Sequence, residues 1–311
     1  MSKHYWLFML VTALSWFNTG VVWLIQFSCY PLWRLVGQEE FLTYHHVWWQ
    51  GTWSVVFLPG VLLTVGSILM LWFRPPGVPR WALWTGFGLQ LAVQVLTATW
   101  LSPLDQRAVA ATGGLNLPAY ERLVAGNWVR IALVTAYAIL NYCFLARIFW
   151  PYKVPTRGRW LLVLTSGLGL YAVGNVWLVQ LVCYPLWASL SRAEAFRYHL
   201  AWWHSIWGVL FVPAGLVFLG ALALVWVRPC GVGGRQVWLG LVLQILIYAS
   251  TAAWWAPLMA RLVKPDGEML VRDYQLLMST HWVRLGLITS YGITSFYMLI
   301  RSKAGTQWSA S

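Results

Sequence analysis

Cys29-Tyr30-Pro31-Leu32-Trp33 returns as Cys183-Tyr184-Pro185-Leu186-Trp187, 154 positions further on, and the same offset relates most of the chain to itself. Tyr44-His45 with Trp48-Trp49 returns as Tyr198-His199 with Trp202-Trp203. Pro59 maps to Pro213, Gln90 to Gln244, Pro103-Leu104 to Pro257-Leu258, and Trp128-Val129-Arg130 to Trp282-Val283-Arg284. A duplication with almost no slippage predicts two halves, residues 1–153 and 154–311, that share one fold. Each position then carries its own control: identity kept twice points to architecture or shared chemistry, and divergence points to an asymmetric site.

With 60% hydrophobic residues, 9% charged residues and a mean hydropathy of +0.64, the chain has more apolar surface than a soluble domain of this length can hide from water. Apolar runs of about 20 residues, long enough to cross a bilayer, begin near Trp6, Trp48, Trp81 and Trp128, and again near Trp160, Trp202, Val237 and Trp282. The expected fold is an all-α integral membrane protein with eight transmembrane helices, four per half. The period-two alternation of a membrane β-barrel is missing. Lys3 before an apolar stretch resembles a signal peptide, but the equivalent stretch lies mid-chain and no small-residue cleavage site follows, so a retained helix is expected. The longest loops, about 102–126 and 256–280, read as short mixed segments with room for interfacial helices.

Charge sets the expected orientation. The amino terminus, the loops after helices two, four and six, and the carboxyl tail hold Lys3, Arg74, Arg80, Arg147, Lys153, Arg157, Arg159, Arg228, Arg235, Arg301 and Lys303 without one acid. Glu39, Glu40, Asp105, Glu121, Glu194, Asp266, Glu268 and Asp273 all fall on the other side. The positive-inside rule makes the basic face cytoplasmic and places both termini inside, in the inner membrane of the cell. The net charge of +13 then follows from topology, and no nucleic-acid partner is implied. A repeat with an even number of spans enters and leaves on one side, so the halves are expected to lie parallel about a pseudo-two-fold axis along the membrane normal.

Chemically capable residues gather toward the extracytoplasmic side: His45, His46, His199, His204 and His281, with Tyr30, Tyr184, Arg130, Arg284, Glu40 and Glu194. In Glu40-x-x-x-Tyr44-His45 and Glu194-x-x-x-Tyr198-His199, residues four apart share a helix face. His45 and His199 read either as proton shuttles or metal ligands or as parts of an interfacial Tyr/Trp belt. Arg130 and Arg284 fall in the expected first turns of helices four and eight, where the helix dipole disfavours a cation. Glu40 and Glu194, the acids kept at equivalent positions, are their expected partners; snorkelling to headgroups or an anionic substrate group are the alternatives.

Divergence adds a third signal. Gln50 and Asn127 become His204 and His281, an expected amide pair in one half and a facing imidazole pair in the other. Two such histidines would ligate a haem or, with His199, a copper or zinc ion; hydrogen-bonded polar residues without a cofactor are the alternative. Gln26, Gln180, Gln90 and Gln244 read as interhelical glue. Pro59 and Pro213 read as kinks. Cys29 and Cys183 read as buried thiols or as a disulfide across the halves.

Tyr30-Pro31 after the first helix, Phe41 to His45 entering the second, Pro59 within it and Asn127 to Arg130 at the fourth give each half a resemblance to small, largely uncharacterised four-helix membrane proteins of bacteria. The pattern is also loosely similar to the fungal anthrone-oxygenase type. In the second half Phe196 is displaced by one and His281 replaces the asparagine. The resemblance implies a membrane oxidoreductase acting on a lipophilic aromatic substrate.

Three classes of function fit the sequence. An oxidoreductase would take a flat apolar molecule such as a quinol, polyketide or isoprenoid, with His45, His199, His204 or His281 as acid, base or ligand, and Arg130 or Arg284 as charge stabiliser. A parallel-repeat transporter is weighed against by the lack of charge deep within the expected spans. A scaffold or assembly subunit would present its aromatic surface to other subunits of a membrane redox or pigment complex. The three histidines of the second half make it the expected seat of the chemistry.

Topology is tested in a variant stripped of its four cysteines and given one at position 156. That thiol should stay unlabelled by an impermeant maleimide added to intact cells, and rapid labelling from outside would invert the orientation.

Overall fold

The computed structural model describes residues 3–149 and 157–308, with side chains over 4–148 and 158–302. Lys153, position 156 and the expected boundary between the halves lie outside the described residues. Within them, eight helices are long and apolar enough to cross a membrane: spans 1 to 8 run His4–Trp33, Phe41–Trp72, Arg80–Arg107, Leu117–Ile148, Gly158–Trp187, Arg192–Trp226, Gly234–Arg261 and Val271–Ser302.

Several spans begin earlier than the apolar runs suggest. The stretches expected as loops are largely helix: Ser102–Arg107 continues span 3, and span 4 opens at Leu117. Mixed polarity there marks helix running past the apolar layer rather than loss of helix. This overturns the placement of the two arginines. Arg130 stands 13 residues after Leu117, and Arg284 13 after Val271, roughly 20 Å along the axis at 1.5 Å per residue. A helix dipole acts within the first turn, so it does not bear on either. Both spans therefore carry a charge well inside them. The tight turn between spans 3 and 4 is pinned by pairing of Val109 with Leu115, and Gly113 (φ 88°) supplies its left-handed residue. Val263 with Met269 and Gly267 (φ 82°) repeat the turn between spans 7 and 8.

Proline shapes six of the spans. Pro31, Pro59, Pro103, Pro185, Pro213 and Pro257 each follow a five-residue π-helical segment by two positions: Ile25–Cys29, Trp53–Phe57, Thr97–Leu101, Val179–Cys183, Trp207–Phe211 and Thr251–Trp255. A proline has no N–H to donate and its ring crowds the carbonyl four residues back. Widening the preceding turn to i→i+5 bonding, as in Tyr30 N–H to the Ile25 carbonyl, takes up that conflict without breaking the helix.

The halves meet along spans 1 and 5, which pack extensively on each other. The approach is backbone to backbone. A Cβ on Gly20 would collide with the Tyr171 carbonyl oxygen, and one on Gly174 with the Phe17 carbonyl oxygen. Small residues at a crossing are what allow such proximity in an apolar medium, where packing rather than water drives association.

Gly20→Leu and Gly174→Leu should each destabilise the protein by at least ~2 kcal/mol, in the range for overpacking. Gly88→Ala, where a Cβ meets nothing within 4 Å, should be neutral or slightly stabilising. Thermal unfolding in detergent reads all three.

Candidate functional site

In the first half, Asp105 lies in the last turns of span 3 and His45 near the start of span 2, both buried. The His45 Nε2 is 3.1 Å from the Asp105 Oδ2. Aromatic rings hold the imidazole from the other side, Trp33 edge-on at 5.5 Å and Phe41 at 6.0 Å. Asp105, Tyr30 and Arg130 line one small cavity with Trp48, Trp49 and Thr52. Arg130 and Asp105 both lie in electrostatic reach of the Tyr30 hydroxyl. His45 stands behind Asp105 and not on the cavity wall. The cavity holds about 30 Å³, space for a water or two or for the polar end of a larger molecule.

The π-helical segments build this cavity. Ile25 comes from the first of them, Val56 and Phe57 from the second, Thr97 and Leu101 from the third. Three widened turns converge where regular helices would close the space. A second cavity, lined by Asn18, Gln94 and Thr97, continues from it, and Arg130 lies on the wall of both.

In the second half the residues 154 positions on line cavities of different chemistry. Arg284 again joins two cavities, and Val179, Leu210, Phe211, Thr251 and Trp255 of its π-helical segments line the equivalent space. Met259 stands where Asp105 does and offers the imidazole no carboxylate; His199 keeps its Trp187 neighbour at 5.4 Å, and its Nδ1 is buried without a partner. Asn127 donates to the Gln26 Oε1 at 2.6 Å, and the His281 Nδ1 bonds the Gln180 Oε1 at 2.8 Å. Gln26 and Gln180 also donate to the Val124 and Met278 carbonyls, tying span 1 to span 4 and span 5 to span 8. Gln90, by contrast, is buried with neither end of its amide bonded.

Several expected partnerships fail. Among the described residues no carboxylate lies within 4 Å of Arg130 or Arg284. Glu40 and Glu194 sit at the starts of spans 2 and 6 while the arginines lie deep in spans 4 and 8. The two carboxylates instead converge around Gly37, where a Cβ would collide with the Glu40 side chain and come 3.0 Å from Glu194 Oε1. Tyr44 and Tyr198 bond each other at 2.8 Å, fully buried, and line none of these cavities. Cys29 and Cys183 are free thiols 3.6 Å apart at the same interface.

The imidazole pair does not form either. His204 is exposed on span 6 while His281 is wholly buried, and Gln50 bonds His46 at the surface while Asn127 is buried. One member of each pair thus faces outward and the other inward. Among the described residues no three His, Cys, Asp or Glu gather as a metal-holding group, so the set of His199, His204 and His281 expected to hold haem or copper is not assembled.

Asp105 was not picked out from the sequence. Its signal lies beside a duplicated pair: Pro103-Leu104-Asp105 against Pro257-Leu258-Met259, a carboxylate exchanged for a thioether at one register. Family models, curated proteins and solved structures were all compared with this chain, and none matches it.

A double-mutant cycle on His45→Gln and Asp105→Asn, read by thermal stability, should give a coupling of about 1–3 kcal/mol, because each single change strands a buried polar partner. The cycle on Glu40→Gln and Arg130→Gln should be additive within about 0.5 kcal/mol.

Proposed function

We propose that this chain is a membrane-embedded, oxidoreductase-like enzyme of the inner membrane, acting on a lipophilic aromatic or quinol-type substrate at the extracytoplasmic side, with the chemistry in its first half. In this reading the termini are cytoplasmic and two parallel four-helix repeats surround an axis along the membrane normal. Support for the axis comes from residues that meet their own equivalents, Cys29 with Cys183 and Tyr44 with Tyr198. Support for the orientation comes from the sequence, whose purely basic face is expected inside; the acids at the opposite end carry the ion pairs among the described residues. There Asp266, bonded by the Glu268 backbone N–H and by Arg192, is held below the usual carboxyl range.

The observation that carries the reading is a buried carboxylate, backed by an imidazole, that shares the wall of one aromatic-lined cavity with a guanidinium and a phenol. A hydroxyaromatic molecule placed there would lose its O–H proton to Asp105. His45 fixes the carboxylate's orientation, and Arg130 with Tyr30 stabilises the phenolate left behind. In a water-poor site such fixed charge is worth about 3–4 kcal/mol, on the scale of an oxyanion-hole donor. Deprotonation makes the ring of a quinol easier to oxidise; its two electrons, the second hydroxyl proton and the proton held on Asp105 then pass to an acceptor of the quinone or dioxygen class, which leaves as a quinol or as hydrogen peroxide and returns Asp105 to its carboxylate. The resemblance to the anthrone-oxygenase type points the same way. A subunit role in a membrane redox or pigment complex is the second reading, favoured by tryptophans exposed at equivalent positions, Trp53 with Trp207 and Trp72 with Trp226.

The test is oxidation of a short-chain benzoquinol by the protein in nanodiscs, followed by absorbance and dioxygen uptake. Asp105→Asn and Arg130→Gln should each lower turnover about 100-fold, within the usual range for a general base or a charge stabiliser, whereas His204→Gln should leave it unchanged. Undiminished turnover in Asp105→Asn would defeat the proposal.

A further inference from the structure

Charge balance differs between the halves. In the first, Asp105 lines the same cavity as Arg130. In the second, Met259 takes that place, and among the described residues Arg284 has no acid within ion-pair distance. Its neighbours are a Trp255 ring at 5.9 Å, where the first half has Leu101, and the hydroxyls of Tyr184 and Tyr248 in electrostatic reach. A cation inside a span without a counter-ion is costly and marks function.

The polar atoms left over converge on the same place. The Arg284 Nε, the Tyr248 and Tyr291 hydroxyls and the His281 Nε2 are all buried without a hydrogen-bond partner, and all four residues line the two cavities that Arg284 joins. Native proteins leave few such groups unsatisfied, and a cluster of them calls for something that satisfies it. In the first half the Arg130 Nε and the Asn127 Oδ1 are also unbonded, but the other two registers are satisfied: Gln94, at that of Tyr248, closes on the Gly60 carbonyl and the Thr64 hydroxyl, and Tyr137, at that of Tyr291, bonds Ser67.

The deeper cavity has the walls of a hydrocarbon site. Val217, Ile247 and Ile288 line it below Arg284, and Tyr291 lies two turns further in along span 8. Phe211, Ala214, Tyr248 and Thr251 on its wall are part-exposed, so it opens sideways onto the lipid-facing surface as a narrow cleft whose enclosed part holds about 40 Å³.

We propose that the second half binds a lipophilic carboxylate, such as a long-chain fatty acid, with its head group on the Arg284 guanidinium, hydrogen-bonded by Tyr248, and its chain along the cleft lined by Val217, Ile247 and Ile288. A carboxylate fits the planar fork of arginine with two parallel hydrogen bonds, and the sideways opening admits a chain straight from the bilayer. No step of the quinol chemistry is needed for this binding.

The test uses the full chain in nanodiscs of zwitterionic lipid, with radiolabelled oleate as the probe. Saturable binding at one site per chain is expected, weakened at least tenfold in Arg284→Gln and in Met259→Asp, which supplies from within the carboxylate that the first half has. Arg130→Gln should bind as the wild type does, and oleyl alcohol should not compete. Because Met259→Asp retains the arginine, it keeps the test valid if Arg284→Gln fails to fold. Wild-type affinity in Met259→Asp together with competition by oleyl alcohol would overturn the proposal. So would displacement of oleate by phosphatidic acid at lower concentration than by oleate itself, which would assign Arg284 to a phospholipid headgroup.

Discussion

Two bare stretches of helix backbone, touching where Gly20 meets the Tyr171 carbonyl and Gly174 meets the Phe17 carbonyl, hold the halves together. The two contacts involve residues at equivalent positions, Gly20 with Gly174 and Phe17 with Tyr171. Cys29 and Cys183, on the last residues of their π-helical segments, come together in this way. One layer further out Tyr44 and Tyr198 exchange a hydrogen bond, and Glu40 and Glu194 converge beyond them. The buried hydroxyls of Thr12, Ser15 and Thr19 on span 1 bond carbonyls of their own helix and are satisfied without a partner across the crossing. An interface made of such pairs has little scope for asymmetric chemistry.

The scope lies in the cavities on either side. Proline at six registers forces six widened turns, three per half, and residues of those turns line the space around Arg130 and Arg284. Packing that would otherwise be continuous is opened by a covalent constraint that both halves share. What then differs is which side chains border the opening. Asp105 against Met259 decides whether an acid lines the cavity that the arginine lines, and Asn127 against His281 decides whether an imidazole nitrogen is left free. In a medium of low dielectric these single exchanges have large electrostatic weight. Two sites that share a backbone can therefore serve different chemistry.

The apolar runs, the charge distribution and the 154-residue repeat were legible because each depends only on composition and order along the chain. They give an all-α protein with eight helices suited to a bilayer, and they single out Arg130, Arg284, His45 and His281 as candidates, of which Arg130, Arg284 and His281 line cavities and His45 bonds an acid on the wall of one. Helical periodicity also shows that Gln26 and Gln180 lie inside spans, where an amide needs a partner.

Which side chains meet was settled only by tertiary structure. Glu40 and Arg130 look complementary in sequence, yet one stands at a helix start and the other about 20 Å along a different helix. His204 and His281 look like a pair, yet rotation of span 6 turns the first to the surface while the second points inward to Gln180. Asp105 looked like a loop acid because mixed polarity hides a helix that continues past the apolar layer, and its imidazole partner is 60 residues away in the chain. Order along the chain determines what must be buried and on which kind of helix; the distances that turn residues into a site arise from how those helices cross, and glycine and proline, which have the least chemistry of their own, set that crossing.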